Sequence, residues 1–258
     1  MLLPGPIGSA FAYRHVVRAL VDSGFHVVVV DPLGMGQSNR PHHADYALSA
    51  QAFRVRLVLG KVLPLHVPLV VAGIGTSATI ALHLAAELPE RVRGVVSVAG
   101  GGNDTQATSG LRLALAFSRV LSTPPGRAFA RRRFAATMRA QSSDPTWVSH
   151  DVVGAYLEHA ERDVRGVLRS LQRMADSKES QPIASRLPMV HAPVLLLIGS
   201  KAGVNAPTPV QVAALTRGLR QFRVDTLDGA AAMLHEERPV AIATWIARLH
   251  QRGVDSFN

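Results

Sequence analysis

The chain has no cysteine in 258 residues, which excludes disulfides, thiolate zinc sites and a cysteine nucleophile. Lysine is nearly absent too. Lys61, Lys178 and Lys201 are the only ones, so arginine carries the net charge of +10. No apolar run approaches the roughly 20 residues needed to span a bilayer. Met1-Leu2-Leu3-Pro4 shows neither the charged region nor the apolar core of a secretory signal. A cytoplasmic protein without a membrane span is therefore expected. The histidines, His42-His43 included, lack metal-ligand spacing, so neither a metal nor a cofactor is expected. Positive charge permits contact with polyanions, but no motif of a specific nucleic-acid reader accompanies it. The run Arg131-Arg132-Arg133 reads as a solvated helix face. There is no internal repeat and no low-complexity tract.

What is present is a large apolar fraction, 47%, enough for one sizeable core. Apolar strand-like runs alternate with helical ones. Pro68 to Ala72 runs into Gly73-Ile74-Gly75-Thr76, and then into Ile80-Ala81-Leu82-His83-Leu84-Ala85-Ala86, which reads as a helix. Residues 13–22 read as a helix, followed by Gly24 and the buried-strand run Phe25-His26-Val27-Val28-Val29-Val30. Further strands fall at residues 94–99 and in Ala192-Pro193-Val194-Leu195-Leu196-Leu197-Ile198-Gly199. Between Asn103 and Leu187 the alternation stops. Helices are expected there at 111–121, 125–139, 151–159 and 163–175, broken by Pro124-Pro125, Ser142-Ser143-Asp144-Pro145 and residues 177–182.

In order along the chain, these segments resemble the α/β-hydrolases. Leu3-Pro4-Gly5-Pro6-Ile7-Gly8-Ser9 is similar to that family's HGxxGS, with Pro4 for the histidine. Asp31-Pro32-Leu33-Gly34-Met35-Gly36-Gln37-Ser38 is similar to its D-x-x-G-x-G-x-S. Gly73-Ile74-Gly75-Thr76-Ser77 resembles the G-x-S-x-G elbow, a strained turn that presents a serine above the sheet. Leu88-Pro89-Glu90-Arg91-Val92 and Glu237-Arg238-Pro239 also follow the family. The resemblance implies an α/β fold with a mostly parallel sheet flanked by helices. The core would be residues 1–102 and 188–258, and residues 103–187 an inserted helical cap. The family's first two strands are missing.

The same resemblance places the triad, and finds it vacant. Gly75 stands where the serine belongs. Ala202 stands at the acid, a few residues past the strand that ends at Gly199. Ala232, five residues before Glu237, stands at the histidine. A triad needs a nucleophile, a base to take its proton and a carboxylate to orient the base. The expected protein is therefore a pseudo-hydrolase serving ligand binding or an accessory role. A divergent hydrolase, lyase or cyclase with relocated residues is the alternative. Substitutes would come from Ser77, from His235 three residues past Ala232, or from Asp104 beyond the next strand. Each has a plainer reading: Ser77 as helix-start packing, His235 as a non-catalytic neighbour, Asp104 as a turn residue.

A second alternative takes Gly73-Ile74-Gly75-Thr76-Ser77-Ala78 as a dinucleotide-binding G-x-G-x-x-A turn. That motif needs an acid at the end of the next strand, and Val98-Ala99-Gly100-Gly101-Gly102 supplies none. The expected pocket is lined by Gly5, Pro6, Gly75, Thr76, Ala202 and Ala232, and suits an apolar small molecule. With the first two family strands missing, Phe25-His26-Val27-Val28-Val29-Val30 becomes a sheet edge. It then invites a partner strand or a second copy, unless the gene begins upstream of Met1.

Overall fold

The structure, a computed structural model, describes residues 1–6, 8–102, 118–203, 206–252 and 257. Asp104 lies outside the described residues. Five parallel strands form one sheet, β1 (Leu2–Leu3), β2 (Leu69–Ile74), β3 (Val92–Val98), β4 (Val194–Gly199) and β5 (Phe222–Leu227), ordered β1-β2-β3-β4-β5. The register aligns Leu2 with Ala72, Val71 with Val95, Val96 with Leu195, and Leu196 with Val224. β2, β3 and β4 are apolar on both faces because helices cover both, the usual state of parallel sheets.

One face packs against α2 (Leu48–Val62) and α3 (Ser77–Glu87), through Leu59, Ile80 and Leu84. The other packs against α1 (Arg14–Asp22) and the C-terminal helix Pro239–Arg252, through Val16, Ile246 and Leu249. The result is a three-layer α/β sandwich. At the outer side of β1, the run at 25–30 forms a single bridge, Leu2 to Val29. Two bonds hold it, Leu2 N–H to Val28 O and Val30 N–H to Leu2 O. The expected strand is thus reduced to an edge, since its partner β1 is only two residues long.

Between β3 and β4 the described chain is helical: α4 (Ser118–Leu121), α5 (Pro124–Ala140), α6 (His150–Arg162), α7 (Val164–Asp176) and α8 (Ile183–Arg186). Each long helix begins where a short polar side chain can cap it. Thr123 accepts from Gly126 N–H, Ser149 from Val152 N–H, and Asp163 from Gly166 N–H. Such caps satisfy the orphan donors of a first turn. The end of this insertion belongs with the sheet layers: Met174, Ile183 and Leu187 join the core cluster under α3. The remaining elements are α9 (Pro209–Gly218), α10 (Leu234–Glu237) and α11 (Pro239–Arg252). No described helix is long and apolar enough to cross a membrane.

Candidate functional site

Because β2, β4 and β5 are parallel, the residues that follow them share one edge of the sheet, where ligands bind in open α/β folds. Gly75 follows β2, Ala202 follows β4, and Ala232 follows β5. The turn at Gly75 is an elbow. Its φ is +56°, a left-handed conformation that glycine adopts freely and other residues adopt with strain. Gly75 N–H bonds Val98 O at 3.0 Å, and Gly75 O accepts from Ala78 N–H at 3.1 Å. A Cβ at Gly73 would stand 2.5 Å from Ala78 N, so a bare backbone there lets α3 close onto β2. Gly100 does the same for the next strand, with a Cβ position 2.5 Å from Gly75 Cα. The corner is packed tightly from behind. In front of Gly75, no described atom lies within 4 Å of where a Cβ would stand.

The loops of Ala202 and Ala232 do meet. Lys201 N–H bonds Ala230 O at 2.8 Å, and Ala202 N–H turns back to Gly199 O at 3.0 Å. Ala202 is buried and Ala232 half-buried. The structure therefore brings all three positions to the same sheet edge, and each bears a hydrogen or a methyl group.

Neither of the substitutes among the described residues, Ser77 and His235, takes over a reacting position. Ser77 is fully buried, its Oγ giving its proton to Pro4 O at 2.5 Å. It ties α3 to the end of β1. His235 is also enclosed. Its Nε2 lies 3.0 Å from the Tyr156 hydroxyl, which donates to Glu236 Oε1. That hydroxyl has one hydrogen and gives it to Glu236, so the ring must donate from Nε2. Nδ1 is then a buried acceptor without a partner among the described residues. Burial holds the His235 imidazole down at about 4, outweighing the raising effect of Glu236 and Glu237; the ring is neutral. Burial, reinforced by the Glu236 carboxylate, also drives the Tyr156 hydroxyl well above its ordinary value.

These contacts form a clamp that sequence spacing does not reveal. Arg14 on α1 grips Glu236 with two parallel bonds, Nη1 to Oε1 at 2.7 Å and Nη2 to Oε2 at 2.8 Å. Tyr156 on the cap helix α6 joins the same carboxylate, and Phe11 packs edge-on against its ring. Glu237 accepts from Ser143 N–H and Oγ–H and from Ala231 N–H. Ala232 N–H bonds Gln141 O at 3.0 Å. The loop holding Ala232 is thus fastened at three points to the helical segment between β3 and β4. Only the run Leu234-His235-Glu236-Glu237 hinted at it, through its density of polar groups beside an apolar loop.

Four cavities bounded by described residues lie away from Gly75, Ala202 and Ala232, and from Gly5, Pro6 and Thr76. Two are in the cap, one lies between residues 44–46 and α7, and one lies beside the sheet edge at 24–28. No group of His, Asp and Glu among the described residues could hold a metal ion. The dinucleotide reading gains nothing: β3 runs out through Ala99, Gly100, Gly101 and Gly102 without a carboxylate.

Residues 1–239 match the family model described as serine aminopeptidase, S33. None of the curated proteins matches the chain. Among solved structures, a bacterial membrane phospholipase A superposes with a TM-score of 0.74 at 21% identity, covering 97% of this chain and 77% of that one. A putative lipase from Acinetobacter baumannii AYE gives 0.71 at 17%, covering 97% and 83%. The haloalkane dehalogenase DbeA from Bradyrhizobium elkani USDA94 gives 0.67 at 22%, covering 97% and 90%. At these identities the likeness is one of fold.

Proposed function

The chain belongs to the serine aminopeptidase S33 family of α/β-hydrolases, and we propose that it is a pseudo-hydrolase that binds a ligand without cleaving it. Gly75 carries this reading. It occupies the strained elbow of a hydrolase, with open space before it and no atom able to attack. Ala202 and Ala232, on loops that touch each other, remove the acid and the base in the same stroke. In triad enzymes, deletion of a member leaves roughly 10³–10⁴-fold catalysis over water, from the oxyanion hole and binding. Here nucleophile, acid and base are all missing, so at most such a remnant is expected.

Purified protein is therefore expected to release p-nitrophenol from p-nitrophenyl butyrate no faster than a buffer-plus-albumin control. A burst stoichiometric with protein, abolished by Ser77→Ala, would return the nucleophile to Ser77 and overturn the reading. Relocated chemistry, as a divergent hydrolase, lyase or cyclase, would draw on Tyr156, His235, Glu236 and Arg14. Tyr156, His235 and the Glu236 carboxylate are buried, Arg14 alone is part-exposed, and none of the four cavities reaches the cluster.

The sheet edge supports association with a second copy. Val27 and Val29 are half-buried, and among the described residues the run at 25–30 bonds Leu2 along one side, with Phe25 N–H turned back to Leu20 O. Unpaired strand edges recruit strands. Light scattering of the 258-residue chain is expected to give a dimer, and Val27→Lys to give a monomer. A wild-type monomer at micromolar concentration would sink the edge argument.

A further inference from the structure

We propose that the cap itself holds a binding site for an anionic single-chain amphiphile, a free long-chain fatty carboxylate, between α5, α6 and α7. The cavity there encloses about 880 Å³, at the upper end of the roughly 300–1,000 Å³ typical of small-molecule pockets. Its walls are hydrocarbon and aromatic: Phe134, Leu157, Val164, Val167 and Leu168 face it, with Val120 on α4. Apolar surface continues to the rim, where Val120 is 58% and Phe129 61% exposed. A cavity so lined favours an alkyl chain, at about 0.8 kcal/mol per buried methylene.

Charge complementarity selects the head group. Arg127, Arg131 and Arg133 stand around the same cavity, against the single carboxylate of Glu161. Glu161 meets only one of them, and loosely, with Arg131 Nη1 at 3.9 Å. Arg127 spends its contact on Glu161 O, a backbone carbonyl, at 3.3 Å. No carboxylate among the described residues pairs with Arg133. The excess is built into α5, which carries Arg127, Arg131, Arg132, Arg133 and Arg139 and no acidic residue. A second cleft of about 700 Å³, which shares Arg127, Arg131 and Glu161 with the first, is lined also by Arg132, Arg139 and His150. The guanidinium field therefore continues past the cavity mouth. A carboxylate seated at the rim gains charge-assisted, two-pronged hydrogen bonds from arginine while its chain fills the apolar interior. A cation would be repelled, and a neutral chain would leave the arginines unused.

The site stands apart from the vacated triad, so it holds whether or not Gly75 has lost its chemistry. Calorimetric titration of the full chain with sodium laurate, kept below its micellar concentration, tests it. Laurate is expected to bind one to one, with dodecanol about tenfold weaker and dodecylamine weaker still, as charge-assisted bonds require. Arg127→Gln combined with Arg133→Gln should cost about tenfold for laurate and little for dodecanol. Phe129→Glu, at an exposed position that should leave the fold intact, places an acid at the mouth and should abolish laurate binding. A thermal melt of each variant confirms folding. Absence of laurate binding overturns the proposal, as does equal affinity for laurate and dodecanol. Binding that survives both variants, or that occurs only on anionic phosphatidylglycerol vesicles, overturns it as well.

Discussion

Replacing Arg14 with alanine is expected to cost the fold about 3–5 kcal/mol, the range for removing one partner of a buried ion pair. The Glu236 side chain is 1% exposed, against 24% for Arg14. Deleting the guanidinium leaves a sealed carboxylate with the Tyr156 hydroxyl and a half-exposed His15, whose Nε2 lies 3.9 Å away. The Arg14 guanidinium also lies over the Phe11 ring at 4.1 Å, so a cation–π contact goes with the ion pair. Glu236→Gln should cost less, about 1–3 kcal/mol, because the surviving Arg14 can turn toward water while the amide keeps the shape. Urea denaturation reads both. Against a total stability of roughly 5–15 kcal/mol, the Arg14 variant should be visibly less stable at room temperature. The double variant should recover part of the sum, because the two side chains act as a unit. Costs below about 1 kcal/mol for both single variants would mean the pair is solvated.

That pair joins residues 222 positions apart, which explains why the site was less legible than the fold. Strands such as β2 and β4 announce themselves as apolar blocks stopped by glycine, and the cap helices by Thr123, Ser149 and Asp163 ahead of them. Local chemistry sets those limits, so the sequence reading and the structure differ by only a residue or two at most cap-helix ends. α2 escaped notice because its apolar residues do not keep to one face: Phe53, Leu57, Val58 and Val62 are exposed. β5 escaped because Phe222-Arg223-Val224-Asp225-Thr226-Leu227 is half polar, as suits a strand at the sheet edge. The elbow was legible because Gly73 and Gly100 are demanded by backbone proximity and Gly75 by its left-handed φ. The tether from Ser77 to Pro4 was not, since its direction depends on β1 lying beside β2. The clamp of Arg14, Tyr156, Glu236 and Glu237 depends on how cap and core meet. No periodicity encodes that.

Acid should unfold this protein well before its exposed carboxylates are neutralised, because two buried histidines resist protonation. Burial is the main cause at both. It lowers His235 to about 4 and His159 to about 4, with Arg40 lowering His159 further and Glu158 opposing. In the unfolded chain each ring titrates near its ordinary value of about 6.5. Below that pH the unfolded state binds protons that the folded state refuses, so stability falls as pH falls. The loss spans the window from about 6.5 down to about 4 and is complete below it. Holding a ring neutral down to about 4 instead of about 6.5 corresponds to about 3 kcal/mol for each, as an order of magnitude. His235 Nδ1 and both His159 ring nitrogens have no partner among the described residues, so a new N–H would find no acceptor. His83 shifts in the same direction by burial, with Glu179 opposing. Asp31 and Glu87 shift the opposite way: burial raises both carboxyls, so the folded state takes up their protons first as the pH drops. Their uptake opposes the histidine loss at pH values between their raised folded-state values and their ordinary ones. The urea midpoint should therefore drop steadily from pH 7 to pH 4.5. Replacing His235 with Gln, which keeps a side-chain donor toward Tyr156, should flatten that slope by about half. A midpoint unchanged between pH 7 and pH 5 would show that both rings reach water, and would open the cluster around His235 to chemistry again.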